Sequence, residues 1–245
     1  MVVNEDEVST IPDGVSYDNA SFFSLGAIAL QGVRKARIEL GEPVIVLGQG
    51  LVGLMALQLV KLSGGFPVIG VDLSDRRLAA SLKLGADYVI NPAREDLERR
   101  APELTDGKGA SVVIEATGSP AVVPSALMVA GRFGRVILLG STRGETTLNL
   151  YAHVHRKGLQ IIGAHNSSRP RHESTHGFWT FQDDSRLVLR LIERGALRVN
   201  GLATRASFGK ARDAYEKLIH AKDDVIGILL DWTEHDQGLA TSEPD

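Results

Sequence analysis

The chain has 245 residues, of which 43% are hydrophobic and 23% are charged, a composition typical of globular proteins. This length allows one substantial α/β domain with additional elements and leaves little room for a second full domain. The net charge of −3, from 27 basic and 30 acidic residues, argues against a nucleic-acid partner. The sequence contains no cysteine, which excludes disulfide bonds, thiolate catalysis and cysteine-ligated metal ions.

The apolar stretches have the length of strands, and none is long enough to cross a bilayer. The first seven residues are acidic and lack the basic and apolar segments of a secretory signal. We therefore expect no membrane partner and a cytoplasmic location.

The first 40 residues are predicted to form a leading loop followed by a helix. Residues 1–18 are polar and rich in turn-forming residues. Apolar residues then recur at helical spacing, which predicts a helix capped by Asn19 or Ser21 and ending near Arg37.

The following 120 residues alternate between strand and helix patterns. Strands are predicted over residues 44–47, 67–71, 88–90, 111–115, 135–139 and 159–163. Helices are predicted over residues 51–62, 75–84, 93–101 and 120–130. This order predicts an α/β fold, a doubly wound parallel sheet with helices on both faces.

A C-terminal extension follows the sixth predicted strand. It contains a polar loop over residues 165–178, helices over 182–194 and 210–221, and a strand over 225–230. The predicted segments are the leading loop and helix (1–40), the sheet domain (41–165), the extension (166–232) and a disordered tail (233–245).

A glycine motif lies between the first predicted strand and the helix after it, with the sequence Gly48-Gln49-Gly50-Leu51-Val52-Gly53. In this context Gly48 allows the tight turn, Gly50 lets a pyrophosphate approach the backbone, and Gly53 lets helix and strand pack closely. The helix N-terminus supplies N–H groups for phosphate. The motif predicts a dinucleotide-binding Rossmann unit, with an ordinary glycine-rich turn as the alternative.

Asp72 ends the second predicted strand, about 20 residues beyond the motif, where an acidic residue accepts hydrogen bonds from the adenosine ribose. Its charge would repel a 2′-phosphate, so NAD is favoured and NADP is less favoured. We assign Leu73 and Arg77 to the same end of the cofactor. The alternative is a turn or capping aspartate, and the neighbouring arginines could instead serve a 2′-phosphate.

Three further turns follow the later strands, where ligands bind in open α/β sheets. We expect Ala116 and Thr117, then Leu139 and Gly140, and finally Ala164 to reach the cofactor. Plain strand-to-helix turns are the alternative. His165 follows Ala164, where it would either contact the nicotinamide end or be a solvated histidine.

Together these segments resemble the medium-chain dehydrogenase/reductase family of alcohol and polyol dehydrogenases over residues 11–232. The pieces that carry the resemblance are residues 11–15, 25–29, 41–50, 71–72, 84–92, 114–118, 134–140 and 211–215. The zinc-dependent polyol and threonine dehydrogenase-like branch is the most similar. The resemblance implies hydride transfer between an alcohol carbon and nicotinamide C4, a small-molecule substrate, and a homodimer through the sheet edge.

The sequence departs from the family in its metal site. The family's catalytic domain would precede residue 1, and the position of its last catalytic ligand, a Cys or Glu, falls near Phe23. Phenylalanine cannot bind a metal, so we predict no metal site, leave the catalytic residues unassigned, and expect an isolated chain that is incomplete as an enzyme. The strand over 225–230 would lack its partner sheet. A non-catalytic NAD-binding sensor or interaction module is the alternative to an NAD-dependent oxidoreductase.

Residues 172–176 have the sequence His-Glu-Ser-Thr-His, which matches the HExxH motif of zinc peptidases, where it lies on a helix. Their surroundings are polar and contain no apolar stripe that would bury a helix. We therefore predict a surface loop here rather than a peptidase site.

Overall fold

The computed structural model describes residues 8–221 and 225–233. The chain divides into two compact units, with the boundary after Val199. The predicted boundary at residue 165 falls inside the first unit.

A six-stranded parallel sheet forms the centre of the first unit and confirms the predicted fold class. Its strands are β1 (Val44–Leu47), β2 (Val68–Val71), β3 (Tyr88–Ile90), β4 (Ala110–Glu115), β5 (Ala130–Leu138) and β6 (Gln160–Gly163). The spatial order is β3-β2-β1-β4-β5-β6, so the chain reverses direction across the sheet between β1 and β4. Ligands of doubly wound sheets bind at this reversal, beyond the carboxyl ends of the strands.

Seven α-helices are described in the same unit. They are α1 (Tyr17–Ala20), α2 (Phe23–Ala36), α3 (Leu51–Leu62), α4 (Asp75–Leu84), α5 (Leu97–Glu103), α6 (Val123–Val129) and α7 (Phe181–Glu193). Helix α2 packs against α3 and α7, and α5 packs against α6. A β-carbon at Gly26 would lie 2.5 Å from Val188 Cγ1, so α2 and α7 approach closely at this glycine. Since α7 packs on α2, it is part of the first unit.

The prediction of a single helix from Asn19 or Ser21 to Arg37 is wrong at its start. The chain forms two helices there, because Ser16 caps α1 by accepting a hydrogen bond from the Asn19 N–H at 3.3 Å. Helix α2 begins at Phe23 without a side-chain cap. The predicted helix over 93–101 also begins later, since Asp96 accepts from the N–H groups of Glu98 and Arg99.

Strand β5 begins five residues before its predicted start of 135, at Ala130. The predicted helix over 120–130 is correspondingly shorter, because its first turn is a 3-10 turn and α6 ends at Val129. Pairing between β4 and β5 shifts register between Ala110 and Val112, which accommodates the extra residues.

The second unit contains β7 (Thr204–Ser207), α8 (Ala211–His220) and β8 (Ile228–Asp231). The prediction that the last strand lacks a partner is wrong, because β8 pairs in parallel with β7. The rings of Phe208 and Trp232 stack at a centroid distance of 3.5 Å in this unit. The predicted disorder of residues 234–245 lies outside the described residues.

Across the described ranges, no helix combines the length and the hydropathy that a membrane span requires.

Lys157 holds the carboxyl end of α6. Its Nζ donates to the carbonyl oxygens of Leu127, Met128 and Ala130, each at 2.8 Å. These are end carbonyls that a helix cannot satisfy internally, and they favour a cation.

Replacing Lys157 with methionine should destabilise the protein, because the methionine side chain cannot donate to these carbonyls. Burial lowers the pKa of Lys157, so desolvation offsets part of the gain. We expect a loss of about 1–2 kcal/mol in the free energy of unfolding. Urea unfolding measures it, with the exposed Lys108→Met as the matched control. Equal effects of the two variants would contradict this role.

Candidate functional site

The glycine motif forms the turn between β1 and α3. Gly48 has a φ of +88°, which favours glycine, and a β-carbon there would lie 2.8 Å from Thr117 Cγ2. A β-carbon at Gly53 would lie 1.8 Å from the Gly48 carbonyl oxygen. Both positions therefore require glycine for the packing of the chain itself.

Gly50 differs from its two neighbours in the motif. It is the N-cap residue of α3, with extended backbone angles that any residue adopts. Among residues 8–221 and 225–233, no neighbouring atom would lie within 4 Å of a β-carbon at Gly50, so the described chain leaves the space in front of it open. The first N–H groups of a helix lack partners within the helix, and Leu51 and Val52 begin α3 here. This open helix N-terminus fits a phosphate group.

Gln49 takes a supporting position in the loop. Its buried side chain donates to the Val46 carbonyl oxygen at 2.7 Å and accepts from the Ser81 hydroxyl at 2.9 Å. Its backbone N–H donates to Asp72 Oδ2 at 2.7 Å. Gln49 therefore stabilises the loop from inside, and the protein engages both its side-chain nitrogen and its side-chain oxygen.

Asp72 joins the glycine motif to the turn after β2. Its Oδ2 accepts from Gln49, and its Oδ1 accepts from the Ser74 N–H at 2.9 Å. Arg77 Nη1 lies 3.9 Å from Oδ2. A carboxylate oxygen accepts more than one hydrogen bond, so both oxygens keep capacity for ribose hydroxyls. Asp72 is thus a turn aspartate whose position still suits a ligand, and Leu73 beside it is 70% exposed.

Glu115, at the end of β4, was not among the residues singled out from the sequence. Its side chain is fully buried, and its Oε1 accepts from the backbone N–H groups of Thr117 at 2.7 Å and Gly118 at 3.1 Å. The Thr117 hydroxyl also donates to Oε1 and accepts from the Ser119 N–H. The chain itself therefore engages the Thr117 side chain. The only signal in the sequence was an acidic residue ending a run of buried strand residues.

A cleft of about 530 Å³ opens beyond the carboxyl ends of β5 and β6. Among its lining residues are three that the sequence analysis selected, Leu139, Gly140 and Ala164. Ser141, Thr142, Arg143, His165 and Asn166 provide its polar groups. A cleft of this size and mixed lining is typical of small-molecule and cofactor sites.

The turns at the ends of β4 and β5 are in close contact. A β-carbon at Gly140 would lie 2.9 Å from Glu115 Oε2 and closer still to the Gly118 backbone. Ala116 and Thr117 therefore lie beside the cleft wall that Gly140 forms. Asp72, Leu73 and Arg77 follow β2, on the other side of β1.

A buried charge network, consisting of Arg34, Arg169 and Asp184, lies behind the loop that follows β6. Asp184 is only 1% exposed and lies 2.7 Å from Arg34 Nη1 and 3.0 Å from Arg169 Nη1. Burial raises the pKa of Asp184, and the two arginines oppose that effect. Burial likewise lowers the pKa of Arg34 and that of Arg169.

Helix α2 and this network hold the loop that lines the cleft. Arg169 Nη2 donates to Gln31 Oε1 at 2.7 Å, and Gln31 Nε2 donates to the His165 carbonyl oxygen at 3.2 Å. Lys35 Nζ donates to the carbonyl oxygen of Gly163 at 2.8 Å. The backbone of residues 163–169 is therefore fixed from behind, while the exposed His165 ring contacts Ser167 Oγ at 2.8 Å.

The described residues do not provide a metal site. In the parts of the chain that the structure describes, no three His, Cys, Asp or Glu side chains come together as a metal would require. The segment over 172–176 is not helical and is mostly exposed, as predicted for a polar loop. Phe23 begins α2, and its ring contacts the Phe181 ring edge to face at 6.3 Å.

Comparison with protein families gives one match over more than half of the chain. A family model described as zinc-binding dehydrogenase matches residues 52–181. L-threonine 3-dehydrogenase from Pyrococcus horikoshii is 32% identical over 192 residues, which cover 78% of this chain and 52% of that protein. The chain thus spans about half the length of this curated relative.

Solved structures give the same fold. An Escherichia coli oxidoreductase/dehydrogenase of unknown specificity, involved in membrane biogenesis, superposes with a TM-score of 0.79 at 26% identity. The alignment covers 91% of this chain and 60% of that chain. A Sinorhizobium meliloti protein solved with NADP bound has a TM-score of 0.71 at 24% identity, with 83% of this chain and 57% of that chain covered.

Proposed function

The chain belongs to the zinc-binding dehydrogenase family, and from that premise we propose that it is the NAD-binding part of an alcohol- or polyol-type oxidoreductase. The reaction would transfer hydride between an alcohol or carbonyl substrate and the nicotinamide. The bound cofactor would supply the hydride acceptor, and the residues described here would hold and orient it.

The open space at Gly50 carries the proposal. Gly48 and Gly53 are required by internal packing, but no atom of the described residues fills the space in front of Gly50. That space faces the N-terminus of α3, where a pyrophosphate would meet N–H donors and the positive end of the helix. We assign the N–H groups of Leu51 and Val52 to this contact.

The sheet order gives the direction of the cofactor. The adenosine ribose would lie at Asp72, Leu73 and Arg77 after β2, with the pyrophosphate at Gly50 after β1. The nicotinamide would then lie beyond β4, β5 and β6, near Ala116 and Thr117 and in the cleft formed by Leu139, Gly140 and Ala164.

We propose that NAD binds more tightly than NADP. A 2′-phosphate at this place would face the Asp72 carboxylate, while ribose hydroxyls could donate to it. Arg77 Nη1 lies 3.9 Å from Asp72 Oδ2, so its positive charge offsets only part of the charge of the carboxylate. The Sinorhizobium meliloti protein was solved with NADP bound, but at 24% identity its similarity to this chain supports a shared fold and not a shared cofactor preference.

The described residues do not fit a catalytic zinc ion, so we assign none of them to a metal. We propose that groups outside the described residues activate the substrate, and that the isolated chain binds cofactor with little turnover. We keep a non-catalytic NAD-binding module as the alternative, because no group of His, Cys, Asp or Glu side chains that could hold a metal ion occurs among the described residues. We also propose a homodimer through an edge of the sheet.

Replacing Asp72 with asparagine tests the cofactor preference. The amide oxygen still accepts from Gln49, but the amide nitrogen replaces the oxygen that accepts from Ser74 and the charge is lost, so we expect NAD affinity to fall about tenfold or more. NADP affinity should stay equal or improve. Calorimetric titration of both cofactors measures the change, and the exposed Asp75→Asn is the matched control.

Wild-type protein that binds NADP as tightly as NAD would contradict the preference. Wild-type protein that binds neither cofactor would contradict the proposed function itself.

A further inference from the structure

Glu115 is a charged side chain that is completely buried, and only one of its two carboxylate oxygens accepts hydrogen bonds from the described residues. Three donors from the Thr117–Gly118 turn reach Oε1. Within the described part of the chain, Oε2 is buried and has no hydrogen-bond partner. Burying a carboxylate oxygen without a partner costs free energy, which a positive charge nearby would offset.

The backbone of Gly140 lies next to this oxygen and also lines the cleft. The β-carbon position of Gly140 lies 2.9 Å from Oε2, and Gly140 lines the cleft. Charges interact over several ångströms in a poorly solvated interior, so the field of Glu115 extends into the cleft. Arg143 also lines the cleft, but it is exposed, and water and salt screen its charge more strongly.

The two redox forms of the cofactor differ in charge at the ring that would enter this cleft. The nicotinamide of NAD⁺ is a cation, and that of NADH is neutral. A buried anion behind the wall therefore favours the oxidised form, whereas a residue that only shapes the turn would affect both forms alike.

On the basis of the proposed function, we propose that Glu115 sets the preference of this site between NAD⁺ and NADH, through its buried charge behind Gly140. It is a specificity-determining residue for the redox state of the cofactor. It also holds the turn that carries Thr117.

Glu115→Gln tests the proposal because glutamine has the same size and keeps an oxygen that accepts from Thr117 and Gly118. Dissociation constants for NAD⁺ and for NADH are measured separately on the full chain, by calorimetry and by NADH fluorescence. We expect the ratio of the NAD⁺ constant to the NADH constant to rise about fivefold to tenfold. An unchanged ratio, with both forms still bound, would overturn the proposal.

Two control variants separate charge from shape. Thr117→Val removes one hydrogen bond to the same carboxylate but keeps the charge, so both constants should change by the same factor. Arg143→Gln removes a cation from the cleft, so the ratio should move in the opposite direction to that of E115Q.

Glu115→Asp keeps the charge and serves if E115Q does not fold. Its ratio should stay within about twofold of the wild-type value, since the charge remains behind the same wall. A ratio displaced about fivefold in E115D would overturn the proposal. Wild-type protein that binds neither NAD⁺ nor NADH would instead overturn the proposed function, so the two failures are distinct.

Discussion

Gly50→Asp is expected to abolish dinucleotide binding, with a loss of at least about a hundredfold in affinity, while the protein stays folded. The extended backbone at Gly50 accepts any residue, and no neighbouring atom in the part of the chain that the structure describes lies within 4 Å of the β-carbon position. Aspartate is also a favoured N-cap residue, so the free energy of unfolding should match or slightly exceed that of wild type. The new carboxylate would fill the phosphate position and repel the ligand.

Gly53→Ala is the matched variant in the same motif. Its β-carbon would overlap the Gly48 carbonyl oxygen, so β1 and α3 would have to separate. We expect it to lose about 3 kcal/mol of stability, and cofactor binding with it. Urea unfolding and calorimetric titration of both variants measure the contrast. Wild-type affinity for NAD in G50D would contradict the pyrophosphate assignment.

The sequence predicted best where a local pattern determines the structure by itself. Strand β1, helix α3 and helix α4 begin and end where predicted, because a buried apolar run defines β1 and glycine or serine residues flank both helices. Strand β7 could not be found in this way. Three of its four residues, Thr204–Ser207, are polar, and the segment forms a strand by pairing with β8, a pairing that the sequence does not specify.

Side-chain roles at the candidate site were harder to predict than the fold. The motif indicated Gln49 as a ligand contact, but its side chain lies inside the domain on Val46 and Ser81, which are distant from each other in sequence. The role of Glu115 depends on Gly140, which lies in the turn after a different strand, β5. Such contacts arise from tertiary packing, so the spacing of residues within one segment carries no signal for them.

The buried charge network connects the stability of the first unit to the shape of the cleft. Arg169 reaches Asp184, Gln31 and the Ala27 carbonyl oxygen from the loop that follows β6. This loop provides His165 and Asn166 to the cleft wall. A change at Asp184 should therefore weaken cofactor binding as well as folding.

Asp184→Ala is expected to lower the free energy of unfolding by about 3–5 kcal/mol, because Arg34 and Arg169 would remain buried without their carboxylate. The neighbouring Asp183→Ala, whose side chain is 40% exposed and accepts from the Ser174 and Thr180 hydroxyls, should cost less, about 1–2 kcal/mol. Combining D184A with Arg169→Met removes one of the unpaired charges, so the double variant should lose less stability than the two single variants together. Urea unfolding of the wild type, the single variants D184A and R169M, and the double variant measures this coupling. If the loss of stability in the double variant equals the sum of the losses in the two single variants, the carboxylate and the guanidinium stabilise the protein independently. That result would contradict the proposed role of their ion pair in fixing the loop after β6.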